Sequence, residues 1–218
     1  MREIDLVNTI TAYLERHHIR YSKEIRMGIG VPDIVITLGA PKSIIKITDY
    51  YILSLAEYVR SKRKISLKEA NEYLSFEQVR FQNIINQAVD KRILAIKNGF
   101  VYCDKKIFDL KIGKAIAIEA KMEKWKSGLL QAQRYLSFAD FSYLALPQNA
   151  VRNVDLELFK EKGIGLLSVT EKGLEEALSP RKSEIFEYKQ KYILTSSINL
   201  DVVLKRRRDN IFSSLLNR

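Results

Sequence analysis

Two short apolar segments constrain this chain more than anything else in it. Residues 31–38 (Val-Pro-Asp-Ile-Val-Ile-Thr-Leu) and 114–121 (Lys-Ala-Ile-Ala-Ile-Glu-Ala-Lys) are built from β-branched and small apolar residues, and the first is bounded by Gly28-Ile29-Gly30 and Gly39-Ala40-Pro41. Each predicts a buried strand, and each carries a carboxylate. Side chains alternate along a strand, so Ile34 and Ile36 share one face while Val31, Asp33 and Val35 share the other. In the second segment Ile116, Ile118 and Ala120 oppose Ala117, Glu119 and Lys121, which sets Glu119 and Lys121 side by side. A carboxylate at a buried strand position is costly unless a cation or hydrogen-bond donors compensate it. If the two strands are neighbours, two carboxylates and an ammonium meet at one point of the sheet. Carboxylate oxygens there can hold a hard divalent ion, and the ammonium can steer a water or steady developing negative charge.

The rest of the chain predicts an α/β protein. Leu6, Val7, Ile10 and Leu14 have helical spacing, and that helix ends near His17-His18, which read as helix-end residues rather than ligands. An extended stretch from Arg20 to Met27 follows. Beyond the second strong strand, Trp125 to Phe138 reads as a helix, Phe141 to Leu146 as a strand, Val151 to Lys162 as a helix and Ile164 to Val169 as a last core strand. Strands alternating with helices imply a partly parallel sheet. The segment from Pro180 onward reads as a basic helical extension, and its Lys205-Arg206-Arg207-Arg208 run as a solvated face or a phosphate contact.

Between the two strong strands, residues 47–109 have a different character. A helix carrying Ile52, Leu53, Leu55, Ala56 and Val59 is followed by a short one at Leu67 to Leu74. Ser75 precedes Gln78 by three, a capping-box spacing, and opens a third helix with Phe81, Ile84, Ile85, Ala88 and Val89 on one face. Ile93 to Ile96 and Phe100 to Cys103 then flank Lys97-Asn98-Gly99, a strong hairpin signal. Three helices and a hairpin look like a winged helix-turn-helix inserted into the α/β unit.

Composition narrows the chemistry. The net charge is +11, which favours a polyanionic partner, nucleic acid above all. One cysteine, Cys103, excludes an internal disulfide, and with only two histidines a zinc site is improbable, leaving oxygen ligands for any metal. The first residues are charged and lead into no apolar run, and no segment is long enough to cross a bilayer, so a cytoplasmic protein without membrane contact is expected.

Pro32-Asp33 followed by Glu119-Ala120-Lys121 resembles the motif of the PD-(D/E)XK nuclease superfamily, the fold of many restriction enzymes and junction resolvases. The resemblance covers about residues 1–40 and 110–170, with the two motif halves separated by the insert. It implies a restriction-endonuclease-like core with a central mixed sheet flanked by helices, over residues 1–46 and 110–178, an inserted winged helix at 47–109 and a helical C-terminal extension at 179–218. It also implies a Mg²⁺- (or Mn²⁺-) dependent DNA endonuclease. Asp33 and Glu119 would bind the metal, with Glu3 or the Ile118 carbonyl completing the shell, and Lys121 would orient the attacking water. Glu24 and Glu15 are lesser acidic candidates. Gln131-Ala132-Gln133-Arg134-Tyr135 resembles a Gln-x-x-x-Tyr element of one branch of the superfamily, which gives Gln131 a positioning role; Tyr135 reads equally as core. Glu187-Tyr188-Lys189 repeats the Glu-x-Lys pattern in a polar, helical stretch and is set aside.

On the winged-helix reading, Gln78, Arg80, Gln82 and Asn83 at the start of the third helix face DNA, and Lys97 and Asn98 sit at the wing tip. The expected partner is double-stranded DNA, with a homodimer because cutting both strands takes two sites. RNA remains open as a substrate. The rival readings are a non-catalytic DNA-binding or regulatory protein on a nuclease fold, and a nuclease subunit of a larger defence or recombination complex.

Overall fold

A computed structural model describes residues 2–41, 44–103, 108, 111–171, 173–185, 187–198 and 211–217. The Lys205–Arg208 run lies outside the described residues. In chain order the elements begin α1 (Glu3–Arg16), β1 (Arg20–Lys23), β2 (Ile34–Leu38), α2 (Tyr50–Lys62), β3 (Ile65–Ser66), α3 (Leu67–Leu74), α4 (Gln78–Asp90), β4 (Leu94–Lys97) and β5 (Phe100–Cys103). They continue β6 (Lys114–Ala120), α5 (Trp125–Tyr135), β7 (Phe141–Pro147), α6 (Gln148–Val151), α7 (Leu156–Lys162), β8 (Gly165–Thr170), β9 (Gly173–Leu178) and α8 (Tyr188–Ser197), with a 3-10 turn at Ser213–Asn217. The chain divides into two compact units, Met1–Lys42 with Ile112–Arg218, and Ser43–Lys111.

The first unit is an α/β structure around a six-stranded mixed sheet of order β1-β2-β6-β7-β8-β9. β6, β7 and β8 run parallel, while β1, β2 and β9 are antiparallel to their neighbours. One face buries Ile34, Ile36, Ile116, Ile118 and Tyr143 beneath α1, whose Leu6, Ile10 and Leu14 are fully buried. Each such side chain contributes about 1.5–3 kcal/mol. The other face buries Val35, Ala115 and Ala117 with Tyr135, Phe138 and Leu194, and Leu144 and Leu166 with Leu129 and Phe159. Small residues in β6 let α5 and α8 approach the sheet. The C-terminal region belongs to this unit, since Leu194 and Ile198 enter one core and Phe212 and Leu215 the other.

The second unit packs α2, α3 and α4 with a three-stranded antiparallel sheet of order β3-β5-β4. Asn98 and Gly99 both have positive φ (51° and 76°), the conformation a two-residue hairpin turn requires.

Several boundaries differ from the sequence reading. β1 ends at Lys23 and β2 begins only at Ile34, because Pro32 lacks a donor and Met27 closes a turn on Gly30. Asp33 therefore sits just ahead of its strand. The predicted helix from Val151 to Lys162 is broken into α6 and α7, since the Asp155 side chain accepts from the Glu157 and Leu158 amides and starts a new helix. Ser75 opens nothing: it is the left-handed C-cap of α3, its hydroxyl donating to the Glu72 carbonyl. The N-cap of α4 is Glu77, without a side-chain bond, while Ser66 caps α3 by accepting from the Glu69 amide. Edge strands β3 and β9, to which the sequence reading assigns no element, complete their sheets. Among the described residues, no helix is long and apolar enough to cross a membrane.

Candidate active site

Asp33, Glu119, Lys121 and Glu3 come together at the C-terminal end of β6, the end of a parallel sheet where loops are free to build a site. The β2–β6 register pairs Ile34 with Ile118, so Asp33 and Glu119 extend neighbouring strands on the same side. Asp33 Oδ2 accepts from the Ala120 amide at 2.7 Å, 87 residues away in sequence. Glu119 is 2% exposed, and its Oε1 lies 2.8 Å from Lys121 Nζ. Glu3, in the first turn of α1, reaches the same ammonium at 3.7 Å and is half-exposed.

Main-chain direction decides which carbonyl faces Asp33. The Lys121 amide donates to Ala145 on β7, so by alternation the peptide groups of Ala120 and Ile118 face β2. Those of Ile118 pair with Ile34 in the ladder, which leaves the Ala120 carbonyl, not that of Ile118, beside Asp33.

α5 supports the cluster from the sheet face that Glu119 and Lys121 share. Tyr135, 2% exposed, donates its phenolic proton to Glu119 Oε2 at 2.6 Å. Its oxygen also lies 3.2 Å from the Val31 carbonyl, and the one available proton goes to the shorter, charge-assisted contact. Both Glu119 oxygens are thereby oriented, one by a lysine and one by a phenol. Gly128 makes room for Lys121: a Cβ there would lie 2.8 Å from Lys121 Cγ and 2.6 Å from Leu144 Cδ1. Gly30 does the same for the Tyr135 ring, whose Cε1 would be 2.8 Å from an added Cβ. Gln131 is half-buried on α5, one turn after Gly128 and one turn before Tyr135, on the flank of the cluster. Sequence reasoning gave Gln131 a positioning role and read Tyr135, at the end of the same Gln-x-x-x-Tyr element, equally as core; what decides the tyrosine's role is a contact between distant elements.

The charges do not balance. Three carboxylates surround one ammonium, and burial raises the Asp33 carboxyl to about 6, with the Ala120 amide and Lys121 opposing and the charges of Glu119 and Glu3 adding to the rise. Burial alone would lower the Lys121 pKa, but its hydrogen bond to Glu119 and the surrounding carboxylates raise it, so the ammonium stays charged. Burial and the bond to Glu119 raise the Tyr135 phenol, which therefore keeps its proton. Such a site favours an added positive charge. Among the described residues no group of three or more His, Cys, Asp or Glu side chains forms a cage. The available donors are Asp33, Glu119 and main-chain oxygen, a set that fits a hard divalent ion retaining several waters.

The other sequence candidates lie elsewhere. Glu15 accepts from the Tyr21 hydroxyl at 2.5 Å, and Glu24 has positive φ (50°) beyond the end of β1, its amide donating to the Asp33 carbonyl. Gln78, Arg80, Gln82, Asn83, Lys97 and Asn98 are all exposed in the second unit. Arg80 stacks 3.9 Å from the Phe76 ring centroid, and Gln82 donates to Asn86 at 2.8 Å. Glu187 occupies the N-cap position of α8 without a side-chain cap hydrogen bond, and its carboxylate lies 3.4 Å from Lys189 Nζ. Comparison of the chain with protein-family models, curated proteins and solved structures returned no match.

Proposed function

We propose that the chain is a metal-dependent deoxyribonuclease with a restriction-endonuclease-like core and an inserted winged-helix unit that aids DNA recognition. One observation carries the reading: Asp33 and Glu119-Ala120-Lys121, far apart in sequence, converge on one point at the C-terminal end of β6. Asp33 and Glu119 would hold Mg²⁺ or Mn²⁺, with the Ala120 carbonyl facing the same side. Held there, such an ion would supply Lewis-acid chemistry to the scissile phosphate. Lys121, charged and held against Glu119, orients the attacking water and offsets the negative charge that builds on the phosphorus oxygens. Tyr135 fixes the Glu119 carboxylate, and Glu3 helps hold the Lys121 ammonium.

The helix order, the hairpin and the exposed polar start of α4 support a winged helix, with Gln78, Arg80, Gln82 and Asn83 towards a DNA groove and Lys97 and Asn98 at the wing tip. Plasmid DNA incubated with the chain in Mg²⁺, Mn²⁺ or EDTA tests the activity. Metal-dependent nicking or linearisation, lost in Asp33→Ala and Lys121→Ala, is the expected result. Tight DNA binding with no cleavage under any metal would leave only the regulatory reading.

A further inference from the structure

The three-stranded sheet of the second unit has one face that its helices leave open. Its other face is core: Ile65, Val101 and Leu94 are 2%, 0% and 3% exposed. The registers Ile65↔Val101, Ser66↔Phe100, Ala95↔Tyr102 and Lys97↔Phe100 fix what lies on the open side. The central strand β5 presents Phe100 and Tyr102, β4 presents Ala95 and Lys97, and β3 presents Ser66, with Lys64 just before it. Phe100 is 39% exposed, Lys64 and Lys97 are exposed, and Tyr102 is partly so. Lys64 Nζ lies 4.8 Å from the Phe100 ring centroid, which places this lysine over the same face.

A single exposed aromatic needs no explanation. Here two stand at positions i and i+2 of a central strand, about 7 Å apart by the strand rise. They are bracketed by Lys97 of β4 and Lys64 just ahead of β3, and none of the six positions is acidic. Flat rings beside cations match a ligand with exposed π-faces and phosphates. A duplex hides its base faces inside the stack, whereas a single strand exposes them and stacks on aromatics whatever its sequence. We propose that this sheet face is a binding platform for single-stranded nucleic acid, with Phe100 and Tyr102 stacking on successive bases and Lys64 and Lys97 contacting the phosphates.

Fluorescence anisotropy of the full chain, in EDTA and at several salt concentrations, tests this independently of cleavage. The probes are labelled oligo-dT and oligo-U of about 15 nucleotides and a duplex of the same length. One or both single strands are expected to bind at least about fivefold tighter than the duplex, the tighter of the two naming the sugar. Phe100→Ala and Tyr102→Ala should each weaken single-strand binding by about fivefold or more. Phe100→Trp should retain it, and duplex affinity should not move. Lys97→Gln should lower the salt slope for the single strand by about 0.7. That side chain is exposed beside the turn, so its slope is readable even if an aromatic variant fails to fold. Duplex binding as tight as single-strand binding would overturn the proposal. So would full single-strand affinity in both folded aromatic variants, or an unchanged slope in Lys97→Gln. Single-strand binding without metal-dependent cleavage would remove the nuclease reading and leave this one; cleavage without single-strand preference would do the reverse.

Discussion

At the start of β6, Asp140 and Lys191 form a buried ion pair; at its end, Glu119 and Lys121 form another. The first is closed. Asp140 is 1% exposed, its Oδ2 accepts from the Ala115 amide and from Lys191 at 2.7 Å each, and its Oδ1 accepts from Lys191 at 2.9 Å. Its own amide and carbonyl are also used, to Ala115 and Ser183. The carboxylate's two oxygens are satisfied by a main-chain amide and the Lys191 ammonium, and the result ties α8 to the sheet. At the other end three carboxylates meet one ammonium, Glu3 and Lys121 reach solvent, and Asp33 resists ionisation. The same residue types thus make a clamp where the carboxylate's oxygens are met by donors and a candidate cation site where carboxylates outnumber the ammonium.

Four experiments break or sharpen this contrast. The largest effect is expected at the clamp: Lys191→Ala should cost about 3–5 kcal/mol of stability in urea denaturation, because it strands a buried carboxylate. Replacing both partners, as in Asp140→Leu with Lys191→Met, should recover most of that loss. Lys121→Ala also removes a cation from a buried carboxylate, but Glu119 keeps its Tyr135 hydrogen bond and the repulsion among three carboxylates is met by solvent. The stability loss should therefore be clearly smaller than at Lys191, while the cleavage rate falls by about 10²–10³-fold. A comparable stability loss there would erase the distinction. Next comes Tyr135→Phe, expected to weaken Mn²⁺ affinity by about tenfold in a titration by releasing one Glu119 oxygen.

The smallest effect is in pH. The folded Asp33 pKa is raised from 3.8 to about 6, so its contribution to stability is full below its unfolded value and lost as pH climbs through 6. The melting temperature should therefore fall across that window in EDTA. Asp33→Asn, which can still accept from the Ala120 amide, should flatten the fall. Saturating Mg²⁺ should raise the melting temperature above pH 6 in the parent chain and not in the variant.

What sequence could supply here depended on the range of each interaction. Strand alternation places Glu119 beside Lys121 because both lie on one β-strand, and Asn98-Gly99 makes a hairpin because its turn chemistry is local. Asp33 joins them through the β2–β6 register, for which only the split motif gave a hint. Tyr135 looked like core because a buried phenol on an apolar helix face gives no sign of its acceptor. The Asp140–Lys191 clamp was invisible for the same reason, its partners lying 51 residues apart. Ser75 misled because its spacing to Gln78 fits a cap, while the backbone uses it to end the preceding helix. The open sheet face emerged only with β3, a two-residue strand too short to leave a periodic signal.

The pairing of Leu38 with Lys114 has a consequence for how this chain folds. Gly39 and Gly113, with φ of 71° and 75°, turn the backbone out of β2 and back into β6, and a Cβ on Gly113 would collide with the Leu38 carbonyl. Everything between is an excursion whose two ends finish side by side, as in a hairpin with a very long loop. Closing such a loop from an unfolded chain is entropically slow, and the cost falls if the excursion has already condensed into its own unit. This topology predicts an order of events that kinetic refolding can check: the Ser43–Lys111 unit forms early, and Asp33 meets Lys121 late. It also follows that a short turn in place of residues 40–112 should leave β2 and β6 as an ordinary antiparallel hairpin, with the four-residue cluster assembled at its open end.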